Sequence, residues 1–105
     1  MKAKEICNEI AKEVKQQMQA CIELGDDTMY YEKEYGDAFV AVDIKPIRMA
    51  NGFWLTITDV AVCHGDTRHE SPLLTAAIKA AIPDWDKMEQ EYKNSGWYRM
   101  NEIEN

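Results

Sequence analysis

Two dipeptides, Gly36-Asp37 and Asn51-Gly52, constrain this chain more than any other feature, because each interrupts a stretch in which apolar and polar residues alternate. Alternation with period two is the mark of a half-buried strand, and Thr28 to His64 is rich in Tyr, Val, Ile, Phe and Thr. Asn-Gly suits a type I′ turn, whose two central residues need positive φ, and Gly-Asp suits the first position of a type II′ turn. Two tight hairpins and three antiparallel strands in meander order are therefore predicted.

Two-residue turns set register, so the pairing can be tested against hydrophobicity. Across the first turn Tyr35 faces Ala38, which aligns Lys33 with Val40, Tyr31 with Val42 and Met29 with Ile44 on the side read as core. Across the second, Ala50 faces Phe53, Arg48 faces Leu55 and Pro46 faces Ile57, but an unbroken ladder would set Ile44 against Asp59. One extra residue near Thr58-Asp59 brings Ile44 opposite Val60 and Val42 opposite Val62. A β-bulge is predicted there, and Pro46 falls opposite the same spot, in keeping with the confinement of proline to sheet edges and bulges.

The flanks follow a helical period. Ile6, Ile10, Val14, Met18, Cys21 and Ile22 recur at steps of three and four across residues 3 to 24, with Gly25 as the C-terminal stop. After a predicted loop from Gly65 to Glu70, Ser71-Pro72 reads as an N-cap with proline at the first helical position, ahead of Leu73-Leu74 and Ala77-Ile78-Ala81-Ile82. Pro83 breaks or kinks that helix, and Trp85, Met88 and Tyr92 form a stripe toward a cap at Gly96. The aromatic Trp97-Tyr98-Arg99-Met100 is expected to dock back on the domain. The expectation is a single α+β domain over residues 1 to 105. It has α-β-β-β-α order, one kinked or two short helices at the end, and the helices on one sheet face.

This order resembles the double-stranded-RNA-binding domain in topology. That family opens its second helix with a lysine cluster for phosphates, where this chain has Ser71-Pro72-Leu73-Leu74-Thr75, with Lys79 alone later. The net charge of −7 points the same way, since counterion release needs cationic side chains, so no direct nucleic-acid binding is expected. A surface that must imitate duplex DNA needs dense negative charge, whereas the first 24 residues carry four Lys and four Glu. An acidic nucleic-acid-mimic inhibitor is accordingly a lesser alternative. With no charged-then-apolar leader and no long apolar run, a cytoplasmic location without a membrane partner is expected. Cys7, Cys21 and Cys63 lack CxxC spacing and read as buried thiols rather than as disulfides or zinc ligands.

Catalytic-type residues gather only at Cys63 to Glu70. His64, Asp66, His69 and Glu70 are weak candidates for a metal site or a hydrolytic centre, because the two histidines lie five apart without helical i, i+4 spacing and nothing marks a nucleophile or an oxyanion hole beside them. Phosphate-binding glycine loops are absent, and no cofactor is expected. The second sheet face presents Tyr30, Phe39, Ala41, Ala61 and Cys63 as an apolar island among acidic neighbours, the kind of patch that marks contact surfaces. These residues are the interface candidates. The functional expectation is a non-enzymatic protein-interaction module acting as a homo-oligomer, such as a homodimer, or as an accessory subunit, with a metal-binding or hydrolytic enzyme as the alternative.

Overall fold

The first helix stops where glycine lets it. In the computed structural model, which describes residues 3–49 and 52–93, α1 spans Ala3–Leu24 and Gly25 takes φ 75°. The Gly25 N–H donates to the Ile22 carbonyl at 3.2 Å and the Asp26 N–H to the Cys21 carbonyl at 2.9 Å, so two terminal carbonyls are satisfied as in a Schellman cap. The helix buries Cys7, Ile10, Ala11, Val14 and Met18, with Ile6, Cys21 and Ile22 half-buried at its margins.

Four strands follow rather than the three expected: β1 (Tyr30–Tyr35), β2 (Ala38–Met49), β3 (Gly52–His64) and β4 (Thr67–Glu70), antiparallel in the order β1-β2-β3-β4. The segment Gly65 to Glu70, read from sequence as a loop, is the second arm of a hairpin in which His64 pairs with Thr67. Its turn is Gly65-Asp66, the same dipeptide as at the first hairpin, and Gly36 and Gly65 both have positive φ (64° and 59°) while neither aspartate does. That pattern fits type II′ turns. The signal was thus present twice, but Thr-Arg-His-Glu carries no hydrophobic alternation to mark it as a strand.

The β1–β2 pairing has the predicted register, with Tyr35 opposite Ala38 and Tyr31 opposite Val42. The β2–β3 pairing does not. Met49 pairs with Gly52, Pro46 with Leu55 and Ile44 with Ile57, a slip of two residues from the Asn51-Gly52 corner; Gly52 lies in β3, and Asn51 is outside the described residues. An even slip keeps every side chain on its predicted face, so the face map survives the error. The bulge is present: Asp43 faces Asp59 and Ile44 faces Ile57, leaving Thr58 as the extra residue. Val42 consequently faces Val60, and Val62 faces Val40. The Thr58 hydroxyl donates to the Asp43 carbonyl at 3.2 Å at this irregularity. Pro46 lies away from the bulge, where β2 runs on past the end of its pairing with β1, and so behaves as an edge proline.

The final helical region is two helices, α2 (Pro72–Ala80) and α3 (Pro83–Lys93). The strand-to-helix corner is stitched by one hydroxyl. The Ser71 N–H continues the ladder to the Val60 carbonyl at 2.9 Å, but Ser71 then turns into the helix, and the Val60 N–H finds the Thr75 Oγ1 at 3.0 Å instead. Thr75 passes the bond on by donating to the Ser71 carbonyl at 2.8 Å, while the Ser71 Oγ caps the Leu74 N–H at 3.1 Å.

The main core lies between α1, α2 and the inner sheet face, with Ile10, Val14, Met18, Val42, Leu55, Val60 and Ile78 fully enclosed. Beyond the bulge both Trp54 and Leu55 are buried although they are neighbours in the strand, as expected where a bulge adds twist. α3 closes this arm: its Trp85 lies 4.9 Å, centroid to centroid, from Trp54 and donates from Nε1 to the Leu55 carbonyl at 3.0 Å. The Tyr92 side chain, the cap at Gly96 and the docking expected for Trp97 to Met100 lie outside the described residues.

Candidate interaction surface

The outer sheet face holds all five interface candidates. Tyr30 and Asp43 share one row, Ala41 and Ala61 the next, and Phe39 and Cys63 the one beyond. Ala41, Ala61 and Cys63 form a second small buried cluster with Phe39 half-buried against it, and Tyr30 remains 65% exposed. Their cover comes from the strand that sequence reasoning missed. Arg68 sits opposite Cys63 on β4, yet its guanidinium reaches Asp43 on β2 at 2.6 Å, so its side chain runs diagonally over Ala61 and Ala41. Only residues as small as alanine leave that path free. The island is therefore roofed by an ion pair rather than left as bare apolar surface.

The same ion pair answers an electrostatic problem. Asp43 faces Asp59 directly across the sheet, a like-charge pairing that destabilises a sheet, and Arg68 supplies the opposite charge. Two opposing effects act on the guanidinium: loss of solvent favours its neutral form, but Asp43, Cys63 and Glu70 around it hold the charged form more strongly. Tyr30 donates to Glu32 on this face, and that carboxylate pushes its phenol above the ordinary range.

On the inner face, edge strand β1 carries an inward lysine. Lys33 reaches Glu13 at 2.7 Å and Glu9 at 2.8 Å, two carboxylates one turn apart on α1, and the Tyr31 hydroxyl donates to Glu13 at 2.8 Å. Glu13 is held below its ordinary pKa by the Lys33 hydrogen bond first and the Tyr31 hydrogen bond second. Burial, then the hydrogen bond to Glu13, pushes the Tyr31 phenol up. The cluster binds β1 to α1.

Between these two regions the inner face stays partly uncovered. Val62, read from sequence as core, is 37% exposed although Val42 and Val60 on the same face are sealed, because it lies at a cleft left open between the sheet, α1 and α2. It borders a cleft of about 250 Å³ whose lining includes Ile6, Cys7, Tyr35, Val40 and Leu74. The Tyr35 hydroxyl is buried without a hydrogen-bond partner among the described residues. Leu73, next to Leu74 on the first turn of α2, is 86% exposed.

The hairpin separates the residues considered as metal ligands. His64 and His69 share the inner side of the β3–β4 ladder, Glu70 projects from the outer side, and Asp66 occupies the turn. Among the described residues no group of three or more His, Cys, Asp or Glu side chains is placed to hold a metal ion. The three cysteines are free thiols, Cys7 and Cys63 buried and Cys21 half-buried. No helix among the described residues is long and apolar enough to cross a membrane. No known family model, curated protein or solved structure matches the chain.

Proposed function

We propose that this chain is a non-enzymatic protein-interaction module that acts by associating with further copies of itself. The observation that supports the reading most is the apolar margin beside β4, where Val62 lines the cleft at 37% exposure and Leu73, the chain neighbour of cleft-lining Leu74, meets solvent at 86%. Exposed leucine and valine adjoining an apolar recess are what a contact surface needs at its centre, since apolar burial is the main drive to association. The expected result of sedimentation equilibrium over a wide concentration range is a mass that rises with concentration. Leu73→Ser, which touches no enclosed part of the core, should lower that association while leaving the thermal melt of the fold nearly unchanged. A monomer mass at every concentration would discard the reading.

A further inference from the structure

We propose that two copies join edge to edge through β4, about a two-fold axis at His69, to make one eight-stranded sheet; the proposal rests on the self-association reading above and assigns it a surface. The backbone geometry is set by the stitch at the corner. Because the Ser71 N–H points at the Val60 carbonyl, and because successive residues of an antiparallel strand aim their N–H and C=O groups to alternate sides, His69 and Thr67 also face β3. Arg68 and Glu70 therefore direct their N–H and C=O groups away from the sheet, toward an incoming strand. An antiparallel copy centred on His69 sets Arg68 opposite Glu70 of the second copy, and the reverse. These are the residues that can exchange both backbone bonds, and their side chains carry opposite charges on one face.

The neighbouring registers are self-repelling. Centring on Arg68 places arginine against arginine, and centring on Glu70 places glutamate against glutamate. The other edge is closed to its own copy by the same logic. The two registers of β1 with the most overlap, centred on Glu32 or on Lys33, set Glu32 against itself or Lys33 against itself, and an inward lysine is a known guard of sheet edges. Beside the β4 seam, Val62 lies opposite His69 on the inner face and Leu73 stands at the start of α2 just after β4, so exposed apolar side chains flank the joint.

Sedimentation equilibrium of the full chain, with circular dichroism to verify folding, tests the assignment. E70R keeps the Arg68–Asp43 bridge but sets arginine against arginine, and should weaken dimerisation about tenfold or more. Raising the salt concentration should regain part of that loss in E70R, because the arginine–arginine repulsion is screened. His69→Cys supplies a readout independent of charge. Residues directly opposed at a non-hydrogen-bonded pair lie about 4.5 Å apart at Cα, within disulfide reach. H69C should cross-link to its copy under mild oxidation, while T67C, about 14 Å from its own copy at a rise of about 3.4 Å per residue, and the parent chain should not. A dimer that survives E70R undiminished, with H69C uncross-linked, would overturn the β4 seam and leave self-association to another surface. A monomer throughout would remove both.

Discussion

The two faces of this sheet reach the same depth of burial by different means. Val42, Val60 and Leu55 on the inner side are enclosed by helices, while Ala41 and Ala61 on the outer side are just as inaccessible beneath the Arg68–Asp43 bridge. The first cover is apolar packing, which salt does not screen and which is lost only with the fold. The second is a half-exposed ion pair on a short edge strand, screened by salt and worth little by itself. The outer cover should therefore yield to salt or to the loss of one side chain, whereas the inner cover goes only with the domain.

The largest expected effect lies under the helices. Leu55→Ala should cost about 2–5 kcal/mol in chemical denaturation, the range for an enclosed leucine, and a cost below 1 kcal/mol would mean the inner layer is far looser than its packing. Next is the stitch between the layers. Thr75→Val keeps the shape but leaves the Val60 N–H and the Ser71 carbonyl each without the hydroxyl, for an expected loss of about 1–3 kcal/mol.

The Glu13 clamp makes the inner side pH-sensitive. Its folded pKa lies below the unfolded value, so its contribution is complete above the ordinary glutamate range and is lost as pH falls through the folded pKa. Glu13→Gln should therefore flatten the acid limb of stability against pH by lowering stability at neutral pH and leaving it unchanged below the folded pKa, and the neutral-pH loss should be small because the carboxylate is partly exposed. An unchanged acid limb would assign the clamp no role in stability.

On the outer face, Arg68→Met retains a long apolar stem over the alanines but drops the charge. The expected loss is within about 1 kcal/mol and should shrink at high salt. A loss of the size expected for Leu55→Ala would erase the contrast between the faces. The smallest effect should come from Asp59→Asn, which removes the like-charge opposition to Asp43 and should stabilise by a few tenths of a kcal/mol.

Much of this fold could be read in advance because it rests on local rules. The Gly25 stop, the Gly36-Asp37 hairpin and the Ser71-Pro72 start each follow from backbone chemistry within a few residues, and the extra residue at Thr58 follows from matching the inward-facing patterns of two strands joined by one corner. What failed depended on distance. β4 has no apolar alternation, and only its pairing with the already folded β3 makes it a strand. The β2–β3 register slipped by two because more than one corner is compatible with the same face pattern, and long-range packing chose among them.

The candidate surface divides along the same line. Sequence periodicity determined which residues look outward, placing Tyr30, Phe39, Ala41, Ala61 and Cys63 together, since side-chain alternation is a local property of any strand. Whether those residues are bare or roofed was decided in three dimensions, where a strand 25 residues after Asp43 in the chain carries Arg68 across them. Local geometry aims a side chain; only the assembled sheet determines what lies above it.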